Sequence, residues 1–221
     1  MQFLYKPIFS LLHIINRGDV ILTFYFDNAA TTRIKPEVLR EMMPYLTEEY
    51  GNPSSLYCIG RNAKRAIENA RLQVANLINA NKNEIYFTGC GSESDNTAIK
   101  GIAYAYKEKG NHIITTKIEH HAILESCKAL EKQGFEVTYL SVNQDGIVNL
   151  QELENAITDK TILVSIMFAN NEIGTIEPIK KISEITHKKN VIFHTDAVQA
   201  AGNVFIDVKE MGIDALSMSR T

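Results

Sequence analysis

The sequence lacks most of the features that would place it in a specialised class. Its 221 residues hold three cysteines, Cys58, Cys90 and Cys127, far apart and odd in number. No C-x-x-C pair and no Cys/His ligand spacing occurs. That argues against a disulfide framework or a metal centre and makes the reducing cytoplasm the expected compartment. No apolar run reaches the roughly 18–20 residues needed to cross a bilayer, so no membrane span is expected. Neither sign of charge dominates: 23 Lys+Arg stand against 26 Asp+Glu, a formal net charge of −3, with no basic run or stripe. The chain therefore has no electrostatic footprint for nucleic acid or an anionic membrane. Internal repeats, low-complexity tracts and a clear linker are also missing.

What remains is an ordinary soluble composition, 45% hydrophobic and 22% charged, with enough residues to bury a sizeable core. Residues 1–23 stand apart. Lys6 ahead of the apolar patch Ile8–Ile15 imitates a signal peptide. Ser10 and His13 interrupt that patch, however, and no small-residue cleavage site follows. The segment is read as an N-terminal extension outside the fold, and residues 24–221 as one domain. Arg17-Gly18-Asp19 is encodable by a purine-rich stretch like a ribosome-binding site, and Leu22 by an alternative start codon, which suits a later start.

Beyond Tyr25 the chain alternates. Apolar, β-branched runs of strand length occur at Glu84–Thr88, His112–Thr116, Phe135–Leu140, Thr161–Phe168, Val191–Thr195 and Ile213–Met218. Helix-period segments lie between most of them: Gly60–Ile78, Ser92–Lys107, Ala122–Lys132, Leu150–Ile157 and Ile179–Lys189. In the first of these, Ala63, Ala66, Ile67, Ala70, Val74 and Leu77 share a face, and Lys64 and Glu68 are spaced for an i,i+4 pair. "NQDG" (143–146) reads as a turn. The alternation predicts an α/β fold, a mostly parallel sheet with helices on both faces.

Ligands of such sheets sit beyond the carboxyl ends of the strands, and here those ends are polar. "FTGCGSESDN" (87–96) is a strand, a turn with Gly89 and Gly91, and a helix start that Ser92 could cap. Free N–H groups and the helix dipole there suit a phosphate, although an ordinary capped turn has the same look. It is neither a dinucleotide fingerprint nor a P-loop. "FHTDAVQ" (193–199) sets Asp196 just past a buried strand, with Gln199 three residues on. Asp196 suits either a helix cap or a partner for a protonated ring nitrogen. "KIEHHAI" (117–123) offers His120 and His121, a surface pair or an imidazole for stacking and proton transfer. "ANNEIGT" (169–175) suits a turn or a hydrogen-bonding wall.

Taken together these stretches resemble the NifS/IscS-type cysteine desulfurases, class V aminotransferases of the fold-type-I pyridoxal phosphate enzymes. The resemblance rests on "YFDNAATT" (25–32), "GNPSSLYCIGR" (51–61), "FTGCGSESDNTAIKG" (87–101), "HIITTKIEHHAIL" (112–124), "ILVSIMFANNEIGTIEPI" (162–179) and "FHTDAVQAAGNVFID" (193–207). It implies the large, cofactor-binding domain of that fold. The implied cofactor is pyridoxal 5'-phosphate, and the implied reaction takes L-cysteine to L-alanine with persulfide transfer for iron–sulfur cluster assembly. A sulfur-acceptor or scaffold protein and a homodimer are the implied partners. Selenocysteine lyase, another class V enzyme and a non-catalytic cofactor-binding or dimerising remnant are the alternatives.

Position by position, the resemblance implies that His120 stacks on the pyridine ring and is the catalytic histidine. It pairs Asp196 with the pyridinium nitrogen, Gln199 with the phenolic oxygen, and Asn171 with that oxygen and the substrate. Gly91, Ser92 and Ser219 are implied as phosphate ligands. The family's last strand continues as "LSxSGHK". Here Leu216, Ser217, Met218 and Ser219 fit, but Arg220 stands at the Gly and Thr221 at the phosphate-binding His. The Schiff-base lysine would follow Thr221. The nucleophilic cysteine, the substrate-clamping arginine and the small C-terminal domain are not among these residues. The expectation is a fragment without turnover.

Overall fold

In a computed structural model, the described residues are 13–17 and 20–219. The chain divides into two compact units, one on each side of the Pro44–Tyr45 bond. In the first, β1 (His13–Arg17) and β2 (Val20–Phe24) form an antiparallel hairpin, pairing His13 with Phe24 and Arg17 with Val20. The sequence reading had no element there. Nor did it expect α1 (Pro36–Thr47), which buries none of its residues and carries Pro44 inside it. Val38, Leu39, Met42, Met43 and Leu46 do recur on one face of this helix, a signal that went unread, and all five are exposed.

The second unit is built on five strands: β3 (His112–Thr116), β4 (Glu136–Leu140), β5 (Thr161–Ser165), β6 (Ile192–Asp196) and β7 (Ala215–Ser217). They pair in the order β4-β3-β5-β6-β7, all parallel. The helices are α2 (Cys58–Leu77), α3 (Gly91–Tyr106), α4 (His121–Glu131), α5 (Leu150–Ala156) and α6 (Ile179–Lys188). Every residue of β3 and of β5 is buried, as expected of a sheet covered on both faces. Alternate side chains feed two cores. Ile114, Val164 and Phe193 pack with Leu153 of α5, Ile182 of α6 and Ala75 of α2. Ile113 and Leu163 pack on the other side with Ile99 and Ala103 of α3 and Ile123, Cys127 and Leu130 of α4.

Two local expectations fail. Residues 84–88 form no strand. Ile85 is extended, but its carbonyl accepts from Arg71 Nη1 instead of a ladder N–H. Tyr86 and Phe87 are exposed, with the Arg71 guanidinium 4.9 Å from the Phe87 ring centre. A run with strand propensity remains irregular where no neighbouring strand pairs with it. In α2, Glu68 is engaged by Lys82 at 3.2 Å and Arg71 at 3.4 Å rather than by Lys64, and Leu77 is 54% exposed. The turn at 143–146 is as read, with Asn143 Oδ1 accepting from the N–H groups of Asp145 and Ile147, each at 2.9 Å. Among the described residues no helix is long and apolar enough to cross a membrane.

Candidate active site

The strand order reverses at β3, since β4 lies on one side of it and β5, β6 and β7 on the other. Parallel sheets open a crevice at such a switch point, beyond the carboxyl ends of the two diverging strands. The segment after β3 carries His120, and the segment after β5 carries Asn171. Two hydrogen bonds join these segments. Glu119 Oε1 accepts from Met167 N at 3.0 Å, and Asn170 Nδ2 donates to the Ile118 carbonyl at 3.0 Å.

Asn170 is fully committed to this loop. Its Oδ1 also accepts from the N–H groups of Glu172 at 2.9 Å and Ile173 at 3.1 Å. Gly174, at φ +74, closes the turn by donating to the Asn170 carbonyl at 3.0 Å, a conformation that a residue with a Cβ adopts poorly. Of the amide pair, Asn171 is the one left half-buried on the rim.

His120 occupies the N-cap of α4, where its Nδ1 accepts from Ala122 N at 3.1 Å. Neutral His120 in this bond carries its proton on Nε2. The ring is exposed, and the neighbouring His121 ring centre is 6.3 Å away.

Asp196 ends β6 at 6% exposure. Its Oδ1 accepts from Val198 N at 3.0 Å, closing a turn; the helix cap considered from sequence is not formed, because residues 198–200 are a turn rather than a helix. Burial raises its pKa above the ordinary carboxylate value, and the Val198 N–H and His120 oppose that rise. Gln199 is half-buried in the same turn.

The helix after the glycine turn begins one residue earlier than expected. Cys90 is the N-cap and provides no side-chain cap, so Ser92 lies inside the first turn of α3 and is not the cap. The first N–H groups of a helix have no partner within it. A Cβ on Gly91 would sit 3.1 Å from Val198 Cγ2 and 3.5 Å from Ser219 Cβ. The glycine turn, the turn after Asp196 and the residue two past β7 thus converge, bringing Gly91, Asp196 and Ser219 to one end of the sheet.

Beneath this rim lies a polar layer that the sequence reading missed. On α3, Asp95, Ile99 and Ala103 recur at i, i+4, i+8 and are all buried, which places Asp95 under the site. Burial first, then repulsion from Asp196, pushes its carboxyl up to about 7, against a lowering by Ser217. Glu119 is also buried, with Oε1 accepting the Thr116 hydroxyl at 2.7 Å. Burial pushes its pKa up to about 8, outweighing those two hydrogen bonds, and Asp196 and Asp95 add smaller rises. Glu119 Oε2 and Asp95 Oδ1 have no hydrogen-bond partner among the described residues. His194, in phase with Asp196 on β6, is fully buried and held neutral, its pKa pushed down to about 4 by burial. Its Nδ1 meets Ser165 Oγ at 2.9 Å and its Nε2 meets Ser217 Oγ at 3.1 Å. Polar residues in phase with an apolar stripe were the available signal.

Residues 24–220 match the family model described as Aminotransferase class-V. A cysteine desulfurase IscS of Clostridium botulinum is 65% identical over 195 residues, which are 88% of this chain and 49% of that relative. One of Methanosarcina thermophila is 60% identical over 88% of this chain and 48% of its own length. The chain thus spans about half the length of the curated relatives it matches. Among solved structures, a NifS-like protein superposes with a TM-score of 0.85 at 43% identity, covering 88% of this chain and 54% of that one. SspA in complex with cysteine gives a TM-score of 0.86 at 42% identity, covering 88% of this chain and 56% of that one.

Proposed function

Because this chain belongs to the aminotransferase class-V family, we propose that it carries the cofactor-binding half of a cysteine desulfurase. In this reading pyridoxal 5'-phosphate is the cofactor and L-cysteine the substrate. L-alanine and a persulfide for iron–sulfur cluster assembly are the products. A sulfur-acceptor or scaffold protein, a second copy of the chain and a cytoplasmic setting belong to the same proposal.

The observation that carries it is the buried Asp196 carboxyl at the end of β6, which burial disfavours as an anion unless a cation meets it. A protonated pyridine nitrogen is such a cation. The rest of the rim fits the group as well. The α3 N-terminus has no side-chain cap, and Gly91 leaves room where a Cβ would press on Val198. When bound, the cofactor supplies an electron sink for negative charge at the substrate's α-carbon.

This chain's residues hold and orient it. Asp196 keeps the ring nitrogen protonated, and the exposed ring of His120 stacks on the pyridine and presents the Nε2 proton. Gln199 and Asn171 donate to the phenolic oxygen, and Gly91, Ser92 and Ser219 surround the phosphate. Burial raises the pKa of both Asp95 and Glu119 beneath the site, which limits the negative charge there that would compete with Asp196.

Asp196→Asn tests the reading. Asn keeps the acceptor for Val198 N, so a purely local role predicts unchanged cofactor affinity. A charge-assisted contact to the ring predicts pyridoxal phosphate binding about 10- to 100-fold weaker by absorbance titration. Equal affinity in the two proteins would remove Asp196 from the site.

A further inference from the structure

The phosphate-facing groups come from elements far apart in the chain: the first turn of α3 and the residue two past β7. Something must hold them in register, and a chain of side-chain hydrogen bonds spans that gap. Ser94, one turn into α3, donates to Ser217 Oγ at 3.0 Å across 123 positions of sequence. Ser217 ends β7, is fully buried, and meets His194 Nε2 at 3.1 Å. His194 Nδ1 meets Ser165 Oγ on β5 at 2.9 Å. A neutral imidazole has one donor and one acceptor, so it closes this chain in either tautomer. Side-chain hydrogen bonds thus link α3, β7, β6 and β5 directly below the rim.

We propose that Ser94, Ser217 and His194 are positioning residues for the cofactor's phosphate, fixing Ser219 against the first turn of α3 without touching the ligand. The proposal rests on the cofactor reading above. Its logic is geometric. Ser94 lies three residues past Gly91 on α3, and Ser217 two residues before Ser219. The Ser94–Ser217 bond therefore sets how close Ser219 lies to Gly91, near enough that a Cβ on Gly91 would sit 3.5 Å from Ser219 Cβ. His194 orients the Ser217 hydroxyl from the core side, and both side chains are fully buried.

The experiment titrates the full chain and its Ser94→Ala, Ser217→Ala and double variants with pyridoxal phosphate and, separately, with pyridoxal, which lacks the phosphate. Each single variant is expected to bind pyridoxal phosphate about tenfold more weakly while pyridoxal affinity stays within about twofold. The double variant is expected to match Ser217→Ala, which already breaks the Ser94 bond and also frees His194 Nε2. Ser94 is only half-buried, so its variant keeps the test informative if Ser217→Ala fails to fold. Equal losses for both ligands, no loss, or additive losses would overturn the positioning role and leave the cofactor reading standing. An unaltered chain that binds neither ligand would overturn both.

Discussion

Glu119→Gln isolates the proton held beneath the site. The folded chain buries this carboxyl and raises its pKa to about 8 from an ordinary 4.5. Between those values the unfolded chain has released the proton and the folded chain retains it. Folding then takes up a proton, so stability falls as pH rises, by about 1.4 kcal/mol per pH unit. Over the whole window the loss is about 5 kcal/mol. Gln keeps an acceptor for the Thr116 hydroxyl and Met167 N–H but cannot titrate. It places an amide where Oε2 has no partner, a pH-independent cost of about 1–3 kcal/mol.

The readout is therefore a slope. Urea unfolding followed by circular dichroism at pH 5, 6, 7 and 8 should show the variant gaining on the unaltered protein as pH rises. Asp95 and Asp196, the other carboxyls close to Glu119, are raised too, but they titrate in both proteins, and their coupling to Glu119 is a smaller contribution than burial. A difference that is flat with pH, or one that favours the unaltered protein as pH rises, would refute the neutral Glu119.

His120 separates packing from cofactor contact. His120→Ala should cost about 1 kcal/mol of stability through the lost cap to Ala122 N and should also weaken pyridoxal phosphate binding; His120→Asn should restore the stability but not the binding, as read by melting and titration. Affinity that returns with Asn would deny the ring a stacking role. Ile114→Ala, at a fully buried position of β3, should lower the urea-unfolding free energy by about 3 kcal/mol, and a loss under 1 kcal/mol would mean the core there collapses around the gap.

The fold was legible because its signals are local. Continuous β-branched runs such as His112–Thr116 and Thr161–Ser165 alternate with helix-period segments, and only a parallel sheet covered on both faces buries both kinds. The polar residues closing each strand were legible for the same reason: Asp196 and His120 stand where an apolar run stops.

What depended on partners distant in sequence was not legible. Residues 84–88 have strand composition, yet pairing is decided by a neighbouring ladder, and the Arg71 side chain takes the Ile85 carbonyl instead. That Asn170 is spent on the loop while Asn171 stays on the rim follows from a bond to Ile118 made across 52 positions. The shifted pKa values of Asp95, Glu119 and His194 follow from depth, which the chain acquires only when α3 and α4 close over the sheet. Burial and long-range hydrogen bonds are properties of the packed chain, so the residues that face the site could be read from sequence, and those that hold it in place emerged only from the tertiary structure.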